Sequence, residues 1–265
     1  MTSTVAPVVG RPIRGLSATL YRELLLLTRD RVNFALSVAP TIIYLLLLAT
    51  SMSRMMPVVT TGGATMAYGT FITPTVVMSA LLSSSMTVAS ALFQEEMSRM
   101  SLELWSHPLR RSSYFVGKLL AGLAVVLGQA VATLLLATAV LDLDWNVTQA
   151  LAMLGASALT GTTLICAYLL FAVFVREFRR FMILGSVSLQ VLLFGSPSFY
   201  PQEQMAPFAR AVSIINPVTY GLTCMRDAAV LNWAGVLPVA LGMVAFCTVA
   251  AGIVVRMLAR RMDNL

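Results

Sequence analysis

Six long apolar stretches run through the chain, and none of them carries a charged residue near its middle. A helix needs about 20 apolar residues to cross the hydrocarbon core of a bilayer, which is roughly 30 Å thick. Most of the stretches reach that length, and the shorter fifth extends into its flanks. The sequence therefore predicts an all-α integral membrane protein. Its six transmembrane helices are expected over Phe34–Met52, Thr70–Phe93, Leu119–Leu141, Gln149–Val175, Phe181–Gly195 and Val236–Met257.

The composition leaves little room for a soluble domain. Of the 265 residues, 58% are hydrophobic and 11% are charged, whereas soluble domains carry about 25% charged residues. We expect a single membrane domain over residues 1–265, with a cytoplasmic arm at 1–33, the six-span region at 34–257 and a cytoplasmic tail at 258–265.

Positive charge is distributed unevenly across the predicted membrane. The net charge is +7, and of the 18 Lys and Arg residues only Arg54, Arg210 and Arg226 fall on the far side from the termini. Cytoplasmic loops of membrane proteins carry the excess of Lys and Arg. Both termini are therefore expected in the cytoplasm, as an even number of spans also requires. This asymmetry explains the basic balance without a nucleic-acid partner.

The absence of charge inside the predicted spans bears on the energy supply. Carriers driven by an ion gradient usually place ionisable residues at membrane depth, so the energy for transport is expected from outside the membrane. A gradient-driven carrier and a membrane-embedded enzyme are the alternatives. For an enzyme, the sequence offers neither a nucleophile–base arrangement nor a metal-ligand spacing. It predicts no catalytic residue, no metal site and no cofactor bound by this chain.

The arm before the first span has the pattern of an amphipathic helix. Leucines recur at helical spacing at Leu16, Leu20, Leu24 and Leu27. Charged residues lie on the other faces or at the end, at Arg22, Glu23, Arg29 and Asp30. A basic amphipathic helix beside a membrane is typical of an element that lies in the interface plane. The alternative is that it packs on cytoplasmic loops.

The loop after the second span, Gln94–Lys118, has a similar pattern. Glu95, Arg99 and Glu103 follow one another at four-residue spacing, which places alternating charges on one helical face. Pro108 ends the pattern. A short, two-faced helix at a cytoplasmic turn suits a docking element, and a solvated elbow is the alternative.

The segment Ser196–Trp233 is too apolar for an exposed loop and too broken for a span. Its prolines are Pro197, Pro201, Pro207 and Pro217. Non-helical backbone at membrane depth survives only where it is buried in protein or lines a cavity. We predict short helices that dip into the outer leaflet and return, with Arg226 and Asp227 near the outer headgroups. The other long outer loop, Ser53–Gly69, is expected to be irregular.

The second span carries a stripe of hydroxyl residues at every fourth position, Thr75, Ser79, Ser83 and Thr87. Small hydroxyl residues at this spacing favour close helix packing. The alternative is that the stripe faces a subunit interface and forms part of a substrate path. Gln190 is the conspicuous polar residue of the fifth span, where an interhelical hydrogen bond is the commoner role.

Three segments, in this order, resemble the permease subunits of type-2 ABC exporters. The first is Arg29–Arg31, which leads into a span broken by Pro40. The second, Phe93–Leu120, is similar to the family's acidic loop of the form TLE…P…R…GKLL, although Met100 stands where glycine is common. The third looks like the family's FP…NP…Y…R segment and comprises Phe199–Pro201, Ile215–Tyr220 and Met225–Arg226.

The resemblance implies a permease subunit in a bacterial cell membrane. Such a subunit exports an amphipathic substrate, a drug, lipid or glycolipid, from the cytoplasm or inner leaflet, as in antibiotic efflux. The chain has no Walker motif, so ATP and Mg²⁺ are expected on a separate cytoplasmic ABC ATPase subunit. A second permease subunit, identical or different, and membrane lipids are the other implied partners.

The resemblance also implies roles for particular residues. The ATPase-coupling helix maps onto Glu95, Glu96, Arg99, Glu103, Arg110 and Arg111. The interface helix includes Arg22, Glu23, Arg29 and Asp30. The substrate path is expected along Thr75, Ser79, Ser83, Thr87 and Gln190. The outer re-entrant hairpin includes Pro201, Asn216, Pro217, Tyr220 and Arg226.

Overall fold

The computed structural model describes residue 39 and residues 41–61, 64–97, 111–141, 143–175 and 177–263. Most of these residues are helical. The elements in chain order are α1 (Thr41–Met55), β1 (Val58–Thr61), β2 (Ala64–Ala67), α2 (Tyr68–Met97), α3 (Arg111–Leu141), α4 (Val147–Phe174), α5 (Phe178–Phe194), α6 (Pro207–Ile215), α7 (Pro217–Ala229) and α8 (Trp233–Asp263). A π-helical stretch covers Tyr44–Ala49 within α1, and a 3-10 turn covers Gln202–Gln204.

Among the described residues, four helices are long and apolar enough to cross a membrane, which fits the predicted all-α, multi-pass membrane protein. Their apolar windows are Tyr68–Ala91, Leu119–Leu141, Val147–Phe174 and Trp233–Val254. These windows match the predicted second, third, fourth and sixth spans.

The first and fifth predicted spans correspond to the shorter helices α1 and α5. The first five residues of Phe34–Met52 lie outside the described residues. The 17 residues of α5 give a length of about 26 Å, somewhat less than the roughly 30 Å of a hydrocarbon core. Six crossings therefore stay a prediction.

The stretch expected to be irregular, Ser53–Gly69, holds a β-hairpin instead. β1 and β2 pair antiparallel, with Val58 opposite Ala67. The expectation was wrong because β1 is a run of β-branched residues, which favour strands. Its apolar Val59 is also buried in a cluster with Phe71 of α2.

α2 runs through the middle of the molecule. Every side chain from Phe71 to Leu82 is buried, and the helix packs against α3, α4, α5 and α7. A helix that is apolar around its whole circumference belongs in the interior of a structure. The mixture of aliphatic and small hydroxyl residues in α2 suits burial, because hydroxyls such as those of Thr73, Ser79 and Ser84 bond back to carbonyls of the same helix.

Glycines mark the closest contacts between helices. A Cβ atom added to Gly161 of α4 would lie 2.2 Å from a methyl carbon of Val126 in α3. One added to Gly185 of α5 would lie 2.5 Å from the terminal methyl of Met86 in α2. Small residues at such crossings are typical of helices that pack inside membranes.

The start of α4 is fixed by its own cap and by α7. The side chain of Gln149 accepts a hydrogen bond from the backbone N–H of Asn146 at 2.9 Å, which forms one half of a capping box. The amide of the same Gln149 donates to the carbonyl of Ala229 at 3.0 Å. This side chain therefore both starts α4 and holds it against the end of α7.

Candidate functional site

The segment between α5 and α8 contains the two short helices that were expected there, α6 and α7. Asn216 alone separates them: its side-chain oxygen accepts from the N–H of Val218 at 2.9 Å, and its amide donates to the carbonyl of Leu192 at 2.6 Å. Pro217 occupies the first turn of α7, where its missing N–H costs nothing. The Asn-Pro pair thus starts α7 and ties the corner between the short helices to α5.

Two further contacts keep the segment folded on itself. The hydroxyl of Tyr220 donates to the carbonyl of Ile214 at 2.8 Å. The amide of Gln202 donates to the hydroxyl of Ser213 at 3.0 Å, and the neighbouring Pro201 is buried. The predicted hairpin residues are therefore part of one compact unit, whose insertion into the outer leaflet stays a prediction.

Arg226 is enclosed by protein, with only 9% of it exposed. Its position near the outer headgroups stays a prediction. The side chain extends from α7 to the first turns of α2. Its Cζ atom lies 3.8 Å from the centre of the Phe71 ring, and its Nε donates to the Phe71 carbonyl at 3.3 Å.

The rest of the guanidinium binds a loop and a hydroxyl of the α2 stripe. Its Nη2 donates to the carbonyl of Ser198 at 3.0 Å and to Oγ1 of Thr75 at 3.3 Å. The Thr75 hydroxyl in turn donates to the same Ser198 carbonyl at 2.5 Å. We refer to Phe71, Thr75, Ser198 and Arg226 as the arginine clamp, since it joins α2, α7 and the loop after α5.

The loop side of the clamp is itself held by serine hydroxyls. Ser198 Oγ donates to the carbonyl of Leu193 at 2.8 Å and lies 2.6 Å from Oγ of Ser196. Ser196 Oγ also donates to the Leu193 carbonyl at 2.8 Å. These short contacts orient the Ser198 carbonyl toward the guanidinium from the end of α5.

The clamp stabilises a cation without a carboxylate. Within the described part of the chain, the hydrogen-bond partners of Arg226 are two carbonyls and one hydroxyl. Burial lowers the pKa of Arg226 to about 9, so the side chain stays protonated at neutral pH. Carbonyl dipoles and the face of an aromatic ring both stabilise such a charge. A buried cation is costly once these partners are lost, so α2 and α7 are held in one relative position.

The hydroxyl stripe of α2 divides into an enclosed and an open half. Thr75 and Ser79 are buried, and Ser79 Oγ donates to the carbonyl of Val76 at 2.7 Å. Ser83 is half-buried and Thr87 is exposed. The N-terminal half of the stripe therefore serves packing and the clamp, while the other half remains accessible.

α5 has an exposed apolar face. Its exposed large side chains are Met182, Ile183, Leu184, Val187, Val191 and Phe194. Gln190 is exposed as well, so it does not act as a buried partner inside the subunit. An apolar helix face of a membrane protein is suited to lipid or to another subunit.

The predicted coupling and interface residues fall mostly outside the described residues. Glu95 and Glu96 belong to the last turn of α2, and Arg111 is the first residue of α3. The others, all outside the described residues, are Arg22, Glu23, Arg29, Asp30, Arg99, Glu103 and Arg110. Two of the predicted coupling residues therefore lie on the same helix as the hydroxyl stripe and the clamp.

Sequence reasoning missed two members of the clamp. Phe71 stands in a continuous apolar run, and Ser198 contributes its backbone carbonyl, which every residue possesses. The Tyr200-Pro201 and Asn216-Pro217 pairs on either side of α6 were the available signal that this segment is ordered. Thr75 was identified as a member of the hydroxyl stripe, for which helix packing or a substrate path was predicted.

The described residues offer no metal centre. They contain no group of three or more His, Cys, Asp or Glu side chains able to hold a metal ion. Cys166, Cys224 and Cys247 are free thiols. The polar groups that do converge form the arginine clamp, which connects elements of the fold.

Comparison with known proteins identifies one family. The model of a family described as "ABC-2 type transporter" matches residues 14–230. The match begins before the predicted interface helix and ends after Arg226, so it covers most of the chain. No curated protein matches the sequence.

Proposed function

Because this chain belongs to the ABC-2 type transporter family, we propose that it is the membrane-spanning subunit of an ATP-driven exporter. The cargo is an amphipathic molecule, a drug, lipid or glycolipid, taken from the cytoplasm or the inner leaflet. The observation that carries the proposal is the family match combined with four apolar windows that contain no Asp, Glu, Lys or Arg. Ion-driven carriers depend on such residues at membrane depth.

Membership of this family implies association with an ABC ATPase subunit. We assign ATP and Mg²⁺ to that separate subunit, which docks on the Gln94–Lys118 segment through Glu95, Glu96, Arg99, Glu103, Arg110 and Arg111. We assign Arg22, Glu23, Arg29 and Asp30 to an interface helix on the same, cytoplasmic side of the membrane.

α2 is suited to transmit the movement of the ATPase. It is one continuous helix from Tyr68 to Met97, and it rises about 33 Å between Thr75 and Met97. Its far end is fixed to α7 and to the loop after α5 through the arginine clamp. A displacement at Glu95 and Glu96 would therefore reach the opposite end of the subunit through a rigid element.

We place a second permease subunit, identical or different, against the exposed side of this subunit that includes α5. The exposed apolar face of α5 and the accessible half of the α2 stripe support this placement. The substrate path then runs along Ser83, Thr87 and Gln190, while Thr75 and Ser79 close its other end. Both termini lie in the cytoplasm of a bacterial cell, and the hairpin containing Pro201, Asn216, Pro217, Tyr220 and Arg226 lies on the outer side.

Charge reversal tests the docking assignment. The triple change Glu95→Lys, Glu96→Lys and Glu103→Lys should abolish co-purification of the ATPase, or leave it bound with ATP hydrolysis no longer stimulated by substrate. Opposed like charges at a docking surface cost several kcal/mol, so transport is expected to fall at least tenfold. Transport into inverted vesicles and ATP hydrolysis are measured side by side.

The matched control is Glu203→Lys, an exposed acidic position on the predicted outer side. It makes the same charge change where a cytoplasmic ATPase has no access, so transport should stay unchanged. Normal ATP-dependent transport by the triple variant would contradict the docking assignment. Transport that continues without ATP and stops when the proton gradient is dissipated would identify a gradient-driven carrier instead.

A further inference from the structure

A cavity of about 640 Å³ lies where α1, the β-hairpin and the turn between α3 and α4 meet. Among its described lining residues, Arg54 at the end of α1 is the cation and Asp144 in the α3–α4 turn is the anion. Both are exposed. Ligand pockets commonly enclose about 300–1,000 Å³ and combine apolar walls with a few polar groups. This cavity has the size and the mixed lining of such a pocket.

The two charges are available to a ligand. In the part of the chain that the structure describes, neither Arg54 nor Asp144 takes part in a hydrogen bond or an ion pair through its side chain. Arginine presents several N–H donors in a planar fork that matches phosphate oxygens. A carboxylate is the complementary partner of an ammonium group. The cavity therefore offers one group for an anion and another for a cation.

An indole adds to the cation-binding part of the wall. Trp145 follows Asp144 directly and is half-buried, and its Nε1 lies at hydrogen-bond distance, 3.5 Å, from Oγ1 of Thr70 at the start of α2. Trp145 is part of the lining of the cavity. Indole rings bind ammonium groups through their π electrons, most strongly where water is excluded.

The cavity lies at the ends of three apolar helical windows. The apolar windows of α2, α3 and α4 begin or end beside it, at Tyr68, Leu141 and Val147 respectively. Ends of spanning helices are where aromatic and charged side chains contact the headgroup region of a bilayer. A ligand that enters from this region carries a polar group bound to an apolar tail.

We propose that this cavity binds a zwitterionic phosphate–ammonium group, with the phosphate on Arg54 and the ammonium beside Asp144 and Trp145. The opposite charges of the wall favour a ligand with both charges over a simple ion, because an anion meets Asp144 and a cation meets Arg54. Phosphatidylethanolamine of the surrounding membrane has the required chemistry, and so does a soluble phosphoethanolamine. The site lies apart from the docking loop, so the proposal does not depend on ATP-driven export.

Native mass spectrometry of the purified full chain tests the site by counting bound lipids. With equimolar phosphatidylethanolamine and phosphatidylglycerol present, the unaltered chain should retain about ten times more phosphatidylethanolamine. A tenfold difference in affinity corresponds to about 1.4 kcal/mol, roughly the contribution of one well-placed charge contact. Arg54→Gln should reduce retention of both lipids, because both carry a phosphate. Asp144→Asn should remove the preference alone, because only one lipid carries an ammonium group.

The controls use the same chemical changes elsewhere. Arg210→Gln and Glu203→Gln alter exposed residues on the same predicted side and should leave both the retention and the preference unchanged. Arg54→Lys keeps the positive charge and should restore most of the phosphate binding. Both tested positions are exposed, so the unfolding temperature of each variant should match that of the unaltered chain.

Free phosphoethanolamine separates the two sources of the ligand. If free phosphoethanolamine displaces the bound lipid only when it is in large excess, the ligand of the site is the membrane lipid. If it displaces the lipid at a comparable concentration, the ligand is a soluble zwitterion. Equal retention of the two lipids by the unaltered chain would overturn the proposal. A preference that survives in Asp144→Asn, or retention of both lipids that is unchanged in Arg54→Gln, would overturn it as well.

Discussion

A buried guanidinium holds the N-terminal end of α2 to the segment between α5 and α8. Arg226 contacts the ring and carbonyl of Phe71, the hydroxyl of Thr75 and the carbonyl of Ser198. These partners come from three separate parts of the chain. Because a buried charge without partners is strongly unfavourable, neither α2 nor α7 is able to shift without disturbing the other.

Substitution of Arg226 should weaken the fold measurably. Arg226→Gln removes the charge and most donors, and we expect a loss of about 2 kcal/mol of stability, the usual worth of hydrogen bonds to a charged group. The stability of Arg226→Lys should fall between that of the unaltered chain and that of Arg226→Gln, because an ammonium does not reproduce the planar fork of the guanidinium. Loss of helical circular dichroism on heating the purified chain in detergent measures both effects.

Arg210 provides the matched control for this prediction. It is exposed on α6, so Arg210→Gln makes the same chemical change outside the clamp and should leave the unfolding temperature unaltered. Equal unfolding temperatures for Arg226→Gln and Arg210→Gln would show that the clamp contributes nothing to stability.

At the scale of elements, the helices meet through small residues and short hydroxyl side chains. α3 and α4 approach so closely at Gly161 that no β-carbon fits against Val126. α5 meets α2 in the same way, through Gly185 against Met86. Dispersion contacts and backbone proximity hold such helices together in a bilayer, where the hydrophobic effect between helices is absent.

Gly161→Ala should therefore loosen the contact between α3 and α4. The added methyl forces Val126 or the helix backbone to move, and overpacking of this kind costs about 1–3 kcal/mol. Thermal unfolding of the purified variant provides the measurement. The matched control on the same helix is Gly155→Ala, since a Cβ atom there meets nothing within 4 Å.

A second substitution tests whether overpacking against Val126 causes the loss, since alanine has a higher helix propensity than glycine. Val126→Ala in the Gly161→Ala background removes the clashing methyl groups and should restore part of the lost stability. The two changes are in contact, so their effects are expected to be non-additive. Strictly additive destabilisation would contradict the assigned contact.

At the scale of the whole molecule, the path of the chain through the membrane depends on α5. Its 17 residues connect Glu177, on the predicted cytoplasmic side, with the segment containing Glu203 on the predicted outer side. A helix of about 26 Å crosses a bilayer with slight thinning or with flanking residues reaching the interface. The mainly exposed apolar surface of α5 is consistent with a helix surrounded by lipid or by a second subunit.

Single-cysteine labelling in intact cells tests this path. In a chain whose three natural cysteines are replaced by alanine, Glu203→Cys should react with a membrane-impermeant maleimide. Glu177→Cys should react only after the cells are permeabilised, because α5 is predicted to cross the membrane between the two positions. Arg210→Cys serves as a second outer position. Equal labelling of positions 177 and 203 in intact cells would mean that α5 does not cross.

Local sequence features predicted much of this architecture. The four apolar windows of the structure were visible as runs of about 20 uncharged residues, since hydropathy is a property of contiguous residues. Short helices were likewise predicted within Ser196–Trp233 from its prolines, and Asn216-Pro217 starts one of them, because capping depends on neighbours in the chain. The β-hairpin was missed even though its β-branched residues are local, because its stability depends on burying Val59 against α2.

The sequence by itself determined that this chain crosses a membrane, that its spans exclude charge and that it belongs among the ABC-2 type transporters. Only the tertiary structure decided the environment of Arg226, the division of the α2 stripe and the cavity between Arg54 and Asp144. The physical reason is the range of the interactions. Insertion into a bilayer is set by the composition of each segment, whereas a buried charge or a cavity is defined by residues that only folding brings together.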